Sequence, residues 1–366
     1  MKNIRNKFFQ LMRLAIGTSS EIPDVKPEEW AAIYEMAKKQ SLLGIAFDGI
    51  EKMGNAVRMD SDLLMTWIGR CKQIERRNLQ LNEAVMKVSE YFKKNGFEAC
   101  ILKGQGNALM YPKPLHRTPG DIDVWVSGSP SDVIRFVHSI APDEKASYHH
   151  IDFPAYKGIP IEVHYRPCYL QNLICNRRLQ RFFGEWAEEQ FSHRVEGEFG
   201  GFAVPTSRFN VVYQLVHVFG HLFQEGIGLR QILDYYFVVV GLHTDLTNLT
   251  DFDSKDLAAL KRDLKGLGLY EFAGAMMYVL HEVLGLKEDK MIVPMDERRG
   301  RMLLEEILAS GNFGKYDERY SFGHGAIGHN MQRLCRDLRL VRFYPAEALS
   351  EPVFRTWHFL WRMWNK

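Results

Sequence analysis

The sequence predicts an α+β protein, with a small mixed sheet and its helices flanked by N- and C-terminal helical regions. Two observations carry that reading. Apolar residues recur at three-to-four spacing in residues 1–95 and again in 205–366, as one face of a helix requires. Between them, residues 96–204 hold short apolar and alternating runs punctuated by glycine, which read as strands.

Each element has a local reason. Ile4, Phe8, Leu11 and Ala15 form one helical stripe, while Gln10 and Arg13 break the apolar run that a signal peptide needs. Pro27 suits a first helical position, and Glu28 and Glu29 complement the positive helix end. A long helix is expected from Ser61 to Lys94, stopped by Asn95-Gly96, with Leu64, Trp67, Ile68 and Cys71 facing the core. FEACILKG and DIDVWV then read as strands, and PSDVIRFVHSI as a helix with Ser129 or Ser131 near its start. SYHHIDF and IPIEVHY form a hairpin through Ala155-Tyr156-Lys157-Gly158. After Pro205 the pattern is helical to the end.

Composition limits the function classes. With 366 residues, 46% hydrophobic and 25% charged, the chain is neither disordered nor collagen-like. Lys plus Arg at 47 against Asp plus Glu at 45 leaves +2, which is no general footprint for nucleic acid. Cys71, Cys100, Cys168, Cys175 and Cys335 contain no CxxC pair and fit free thiols in a reducing cytoplasm. The longest apolar run, Tyr235 to Leu242, falls far short of the roughly 18 residues of a membrane span. A cytoplasmic protein without stable membrane insertion is expected.

Chemistry concentrates in LKGQGNALMYPKPLHRTPGDIDVWV, residues 102–126. Asp121 and Asp123, two apart on a strand, point to one face, and Ile122 and Val124 to the other. Such a pair is either a solvated strand end or a site for a hard cation such as Mg²⁺. Upstream, Gly104-Gln105-Gly106 opens a short helix after a strand; it is either a tight turn or a backbone cradle for phosphate oxygens. Downstream, Glu162 and His164 share a strand face, and if that strand adjoins DIDVWV, Glu162 is a third carboxylate opposite the pair. Three acids around one or two metal ions suit phosphoryl or nucleotidyl transfer. Lys103 and Arg117 are either phosphate contacts or surface charges, and His164 either orients Glu162 or is structural.

These motifs resemble the nucleotidyltransferase core of the DNA polymerase beta superfamily over residues 97–166. More narrowly, LKG, HRTPGDIDVWV, IEVHYRP and GLRQILD resemble its bacterial branch labelled uncharacterised nucleotidyltransferase. The resemblance implies a nucleoside triphosphate substrate and two Mg²⁺ ions held by Asp121, Asp123 and Glu162. It further implies a phosphate turn at Gly104, joined by Lys103, Gln105, Gly106 and Arg117. The acceptor stays open: small molecule, protein or RNA end. Gln105 stands where the superfamily commonly has glycine or serine, and the gap to the DxD is longer than usual. Those departures point to the alternative, a non-catalytic nucleotide-binding regulatory or antitoxin-like module.

Further candidates lie in the helical part. His217, His221 and Glu225 fall on one helix face, a spacing that either binds a metal or belongs to structural histidines, and His217 and His221, with His164 and Arg230, are candidates for the acceptor cleft. Arg230 and Asp234 are spaced for an i, i+4 salt bridge. Arg333, Arg336, Arg339 and Arg342 make a basic stripe, read as a solvated face or an anion contact. Val353, Trp357, Leu360, Trp361 and Trp364 give the last helix an apolar side for core packing, a homodimer contact or a membrane foot.

Overall fold

Asp60 starts the longest helix by accepting the backbone N–H groups of Asp62 and Leu63 at 3.0 and 3.2 Å. That helix, α4 (Ser61–Lys94), follows α1 (Lys2–Ile16), α2 (Trp30–Lys39) and α3 (Leu43–Met53). The structure is a computed structural model and describes residues 2–197, 200–243, 252–317, 319 and 325–364. The mixed region contains β1 (Ala99–Ile101), α5 (Gln105–Ala108), β2 (Ile122–Val126), α6 (Pro130–His138), β3 (His150–Tyr156) and β4 (Ile159–His164). It continues through α7 (Leu173–Ser192), β5 (Arg194–Gly197) and β6 (Gly200–Ala203). Helices α8 (Ser207–Gln224), α9 (Leu229–Gly241), α10 (Ser254–Gly266), α11 (Tyr270–Leu284) and α12 (Glu297–Ser310) follow. The chain ends in α13 (Ala326–Leu340) and α14 (Pro345–Trp364).

The strands form one sheet in the order β3-β4-β2-β1-β6-β5. Strand β2 runs antiparallel to β1 and parallel to β4, and β6 runs parallel to β1. The β2–β4 register sets Asp123 opposite Glu162, as the two strand patterns required if they adjoined. One face carries Ile101, Ile122, Val124, Ile161 and Val163 into a core shared with Leu81, Val85 and Phe92 of α4. The other face puts Cys100, Leu102, Trp125 and Ala203 into a larger core with α8, α9 and α11. Asp121 and Asp123 therefore look towards the C-terminal helices.

Several expectations are corrected. The hairpin turns at Lys157-Gly158, both at positive φ (49° and 72°), leaving Ala155 and Tyr156 in the strand. A two-residue turn of that hand matches strand twist better than the wider turn expected. The register slips between Phe153 and Tyr156, a stretch that holds Pro154, a residue that cannot donate to the ladder. The helix α7 and the β5–β6 hairpin were not anticipated, because their apolar patterning is thin. Ser129 is the residue that caps α6, accepting from the Asp132 N–H.

The C-terminal expectations change most. Arg336 is buried near Asp317 at 3.8 Å, and Arg339 pairs with Glu306, so acids from α12 and beyond break the basic stripe. On α14 it is Phe354 that packs inward, its ring 4.9 Å from that of Tyr169. Val353, Trp357 and Leu360 stay 64%, 43% and 48% exposed, while Trp361 is partly buried. The side chain of Trp364 lies outside the described residues. Helix α14 is tied down by Glu347, which accepts the backbone N–H groups of Gln171 and Asn172 just before α7.

Burial pushes the Glu347 carboxyl from 4.5 to about 7, against the pull of those two N–H groups. Burial beside Glu351 likewise raises Asp337 on α13. An acid with a raised folded pKa takes up a proton on folding, so its contribution is fully present below the unfolded value and is lost as pH rises through the folded one. Stability to urea should therefore fall between about pH 5 and 8 through this helical pair. The Glu347→Gln protein should show a shallower fall, measured by denaturation at each pH.

Candidate functional site

The site is built on the ends of β1, β2 and β4, with α8 forming the opposite wall. Asp121, Asp123, Glu162, His164 and Lys103 line a cleft of about 390 Å³ together with His217 and His221. Asp123 is 2% exposed, and its Oδ1 lies 3.0 Å from Lys103 Nζ and 3.1 Å from His164 Nε2. Its other oxygen, Oδ2, is buried with no hydrogen-bond partner among the described residues. Glu162 Oε2 sits 3.5 Å from His164 Nε2 and 3.7 Å from His150 Nδ1.

Electrostatics separates the three acids. Burial opposes the Asp123 charge, but Lys103 and His164 outweigh it and hold the carboxyl well below the usual range. Asp121 is raised, first by the negative charge of Asp123 and then by burial. Burial opposes the Glu162 charge, but the His164 hydrogen bond together with the charges of His150 and His164 lowers its pKa. His164 itself rises to about 9, since Asp123 and Glu162 overcome the cost of burying its cation. Lys103 is raised for the same reason, held by Asp123, Asp121 and Glu162 against its burial. His217, 3.3 Å from Lys103 Nζ, is driven down by burial and by that ammonium.

The glycine turn is less open than its sequence suggests. Gly104 has φ +62° and ψ −111°, a conformation that side chains avoid, and it lies beside the Asp121 carbonyl. Gly106 serves packing: a Cβ there would meet Val204 at 3.1 Å and the Ile101 carbonyl at 3.2 Å. Gln105 turns away from the cleft, 4% exposed, and its amide donates to Asn82 on α4.

Arg117 is committed elsewhere. Its Nε and Nη2 make a bidentate pair with Asp234 of α9 at 2.8 and 2.7 Å, and Tyr111 Oη donates to the same carboxylate at 2.6 Å. Thus Asp234 pairs with Arg117 and not with Arg230, its i, i+4 neighbour. Arg230 instead donates to the Thr118 carbonyl at 3.3 Å and lies over the Phe313 ring. Its Nε has no partner among the described residues, and it borders a small recess with Lys103, Gly104 and Asp121. The long segment before the DxD is clamped throughout. Asn78 of α4 donates to the carbonyls of Leu115 and Arg117, and His116 meets Asp48 of α3 at 2.6 Å and Glu75 at 3.0 Å.

Some cleft residues were absent from the sequence reading. His150 begins β3, with His149 just before it, and the hairpin register sets His150 opposite His164. Pairing SYHHIDF against IPIEVHY would have shown this. Tyr169, Gln224, Phe313 and Lys315 close the far side and carry no sequence signal.

A family profile described as uncharacterised nucleotidyltransferase matches residues 26–285, spanning the clamped segment, the acids and the α8–α9 wall. The protein belongs to that family. Membership supports a general nucleotidyltransferase role and a nucleotide substrate. A crystal structure of an antigenic nucleotidyltransferase-like protein from Paracoccidioides brasiliensis is similar at 10% identity and a TM-score of 0.28, covering 51% of this chain and 91% of that one. No curated protein matches the chain. No helix of this nucleotidyltransferase-family protein, among the described residues, is long and apolar enough to cross a membrane.

The Arg117–Asp234 pair is a test of how the site is held. Removing one partner of a buried pair leaves an uncompensated charge and costs about 3–5 kcal/mol. Asp234→Ala should lose stability on that scale in urea denaturation. The double variant Arg117→Met/Asp234→Ala should lose less, because no lone charge remains buried.

Proposed function

We propose that the protein is a Mg²⁺-dependent nucleotidyltransferase that moves a nucleoside monophosphate from a nucleoside triphosphate to an acceptor. The observation that carries this reading is Asp123 Oδ2, a buried carboxylate oxygen without a partner among the described residues, beside Asp121 and opposite Glu162. A buried acceptor of this kind is costly unless something fills it. Oxygen ligands of this number and charge fit Mg²⁺. Asp121, Asp123 and Glu162 would hold the ions. Bound there, Mg²⁺ neutralises triphosphate charge and polarises the reacting oxygens.

The side chains then have distinct tasks. Lys103 and the Arg230 guanidinium, which border the recess beside Gly104, bind the phosphate oxygens. Arg117 acts as a positioning residue by fixing the segment that leads into Asp121. An acceptor hydroxyl in the cleft attacks the α-phosphorus, and Glu162 takes its proton. The new P–O bond forms as the bond to pyrophosphate breaks, and pyrophosphate leaves with that electron pair. His217 and His221 form the wall against which the acceptor lies. Catalysis on this scheme is orientation plus charge neutralisation, with no covalent intermediate on the protein.

The test pairs binding with turnover. A nucleotide at about 100 times its Kd should stabilise the protein by about 2.7 kcal/mol, visible as a raised Tm when Mg²⁺ is present. The shift should disappear in Asp121→Asn/Asp123→Asn. Pyrophosphate release should fall roughly a hundredfold or more in Asp123→Asn. A Mg²⁺-dependent shift with no pyrophosphate from any acceptor would instead support the non-catalytic nucleotide-binding module.

A further inference from the structure

The edge of the cleft formed by the β3–β4 hairpin holds chemistry that the nucleotide reaction leaves unused. His149, His150 and His164 converge there, with one nitrogen from each ring within 4.8 Å of the others. Their ring centres are 4.3 Å (His149–His150), 5.4 Å (His149–His164) and 5.3 Å (His150–His164) apart. Three imidazoles around a single tetrahedral ion at about 2.1 Å have ring centres roughly 5.2 Å apart. The cluster is therefore within a few tenths of an ångström of that spacing on two sides, and about 1 Å short on the third.

We propose that His149, His150 and His164 form a second metal site, for a borderline divalent transition ion of the zinc type. Imidazole nitrogen favours such ions, whereas the neighbouring all-oxygen acids favour Mg²⁺, so the two sites differ in the ion they select. The backbone holds the ligands in place. Tyr165 and Arg166 both donate their N–H groups to the His149 carbonyl, at 3.0 and 3.2 Å. Ser147 Oγ accepts from the N–H groups of His149 and His150, and β3 pairs His150 with His164 across the ladder.

A second observation points to an ion. His164 is 3% exposed, and its Nδ1 has no partner among the described residues, while its Nε2 donates to Asp123. An imidazole fixed by a carboxylate through one nitrogen and meeting an ion through the other is the usual outer-shell arrangement of metal-bound histidine. Coordination takes each imidazole as the neutral ligand, so an ion bound here would displace the proton that Asp123 and Glu162 otherwise hold on His164. The 3.0 Å contact between His149 Nε2 and His150 Nδ1 joins two of the ligand rings directly. With three protein ligands, coordination remains open towards the cleft that all three rings line.

Chelator-treated full-length protein is titrated with Zn²⁺ against a chromophoric competitor, and separately with Co²⁺, whose visible absorption reports coordination geometry. One Zn²⁺ per chain and the intense Co²⁺ bands of a tetrahedral nitrogen site are expected. Loss of an outer-shell partner costs roughly 10–100-fold in affinity, so His149→Ala and His150→Gln should each weaken Zn²⁺ binding by at least about a hundredfold. Asp121→Asn should leave it unchanged. Absence of stoichiometric Zn²⁺, weak octahedral-type Co²⁺ absorption, or wild-type affinity in both histidine variants overturns the proposal. Loss of Zn²⁺ in Asp121→Asn also overturns it, by putting the ion among the acids. Circular dichroism establishes that each variant is folded, and the wild-type Co²⁺ spectrum needs no variant. The Mg²⁺-dependent nucleotide shift of the same preparations is scored separately, so either site can fail alone.

Discussion

Asp123 keeps its negative charge with only 1% of its side chain exposed, and the rest of the cleft is arranged around that cost. Isolated, such a carboxylate would take up a proton. Lys103, arriving from the end of β1, and His164, arriving from β4, converge on one of its oxygens and hold it ionised. The parallel pairing of β2 with β4 brings Glu162 alongside, so the repulsion among the acids is met by two cations. The same pairing leaves the second Asp123 oxygen bare, and the nucleotidyl-transfer reading starts from that oxygen.

The cleft is as much a product of the helices as of the sheet. Four side chains from three helices, Asp48 of α3, Glu75 and Asn78 of α4 and Asp234 of α9, seize the segment between α5 and β2. A single apolar core runs from Phe8 through Trp125 to Ala348, joining the N-terminal helices, one sheet face and the C-terminal helices. The family match likewise extends over residues 26–285, well outside the strands.

Much of this was legible in the sequence. The period change near Phe97, the long helix ended by Asn95-Gly96 and the DxD facing away from Ile122 and Val124 all follow from local patterning. The β2–β4 pairing could be stated only as a condition, because one strand does not name its neighbour. Arg117 illustrates what stays hidden. The family resemblance suggested that it binds phosphate, whereas its partner, Asp234, lies 117 residues away, a distance no local rule spans. Strands β5 and β6 escaped for a related reason: four residues each, they exist by pairing with each other and with β1. His150 of β3, and His149 beside it, needed the hairpin register before they could be seen to meet His164.

The slip between Phe153 and Tyr156 has a consequence for assembly. Strand β3 is the last strand on its side of the sheet, and its outer row of backbone groups is a template for another chain. A bulge twists that row out of alignment, and Pro154 leaves the strand one N–H group short. Open edges of this kind are where sheet proteins polymerise. Here the hairpin that carries the cleft histidines is also the one whose rim is blunted against stacking, so the cleft can stay open to solvent without the sheet growing from its side.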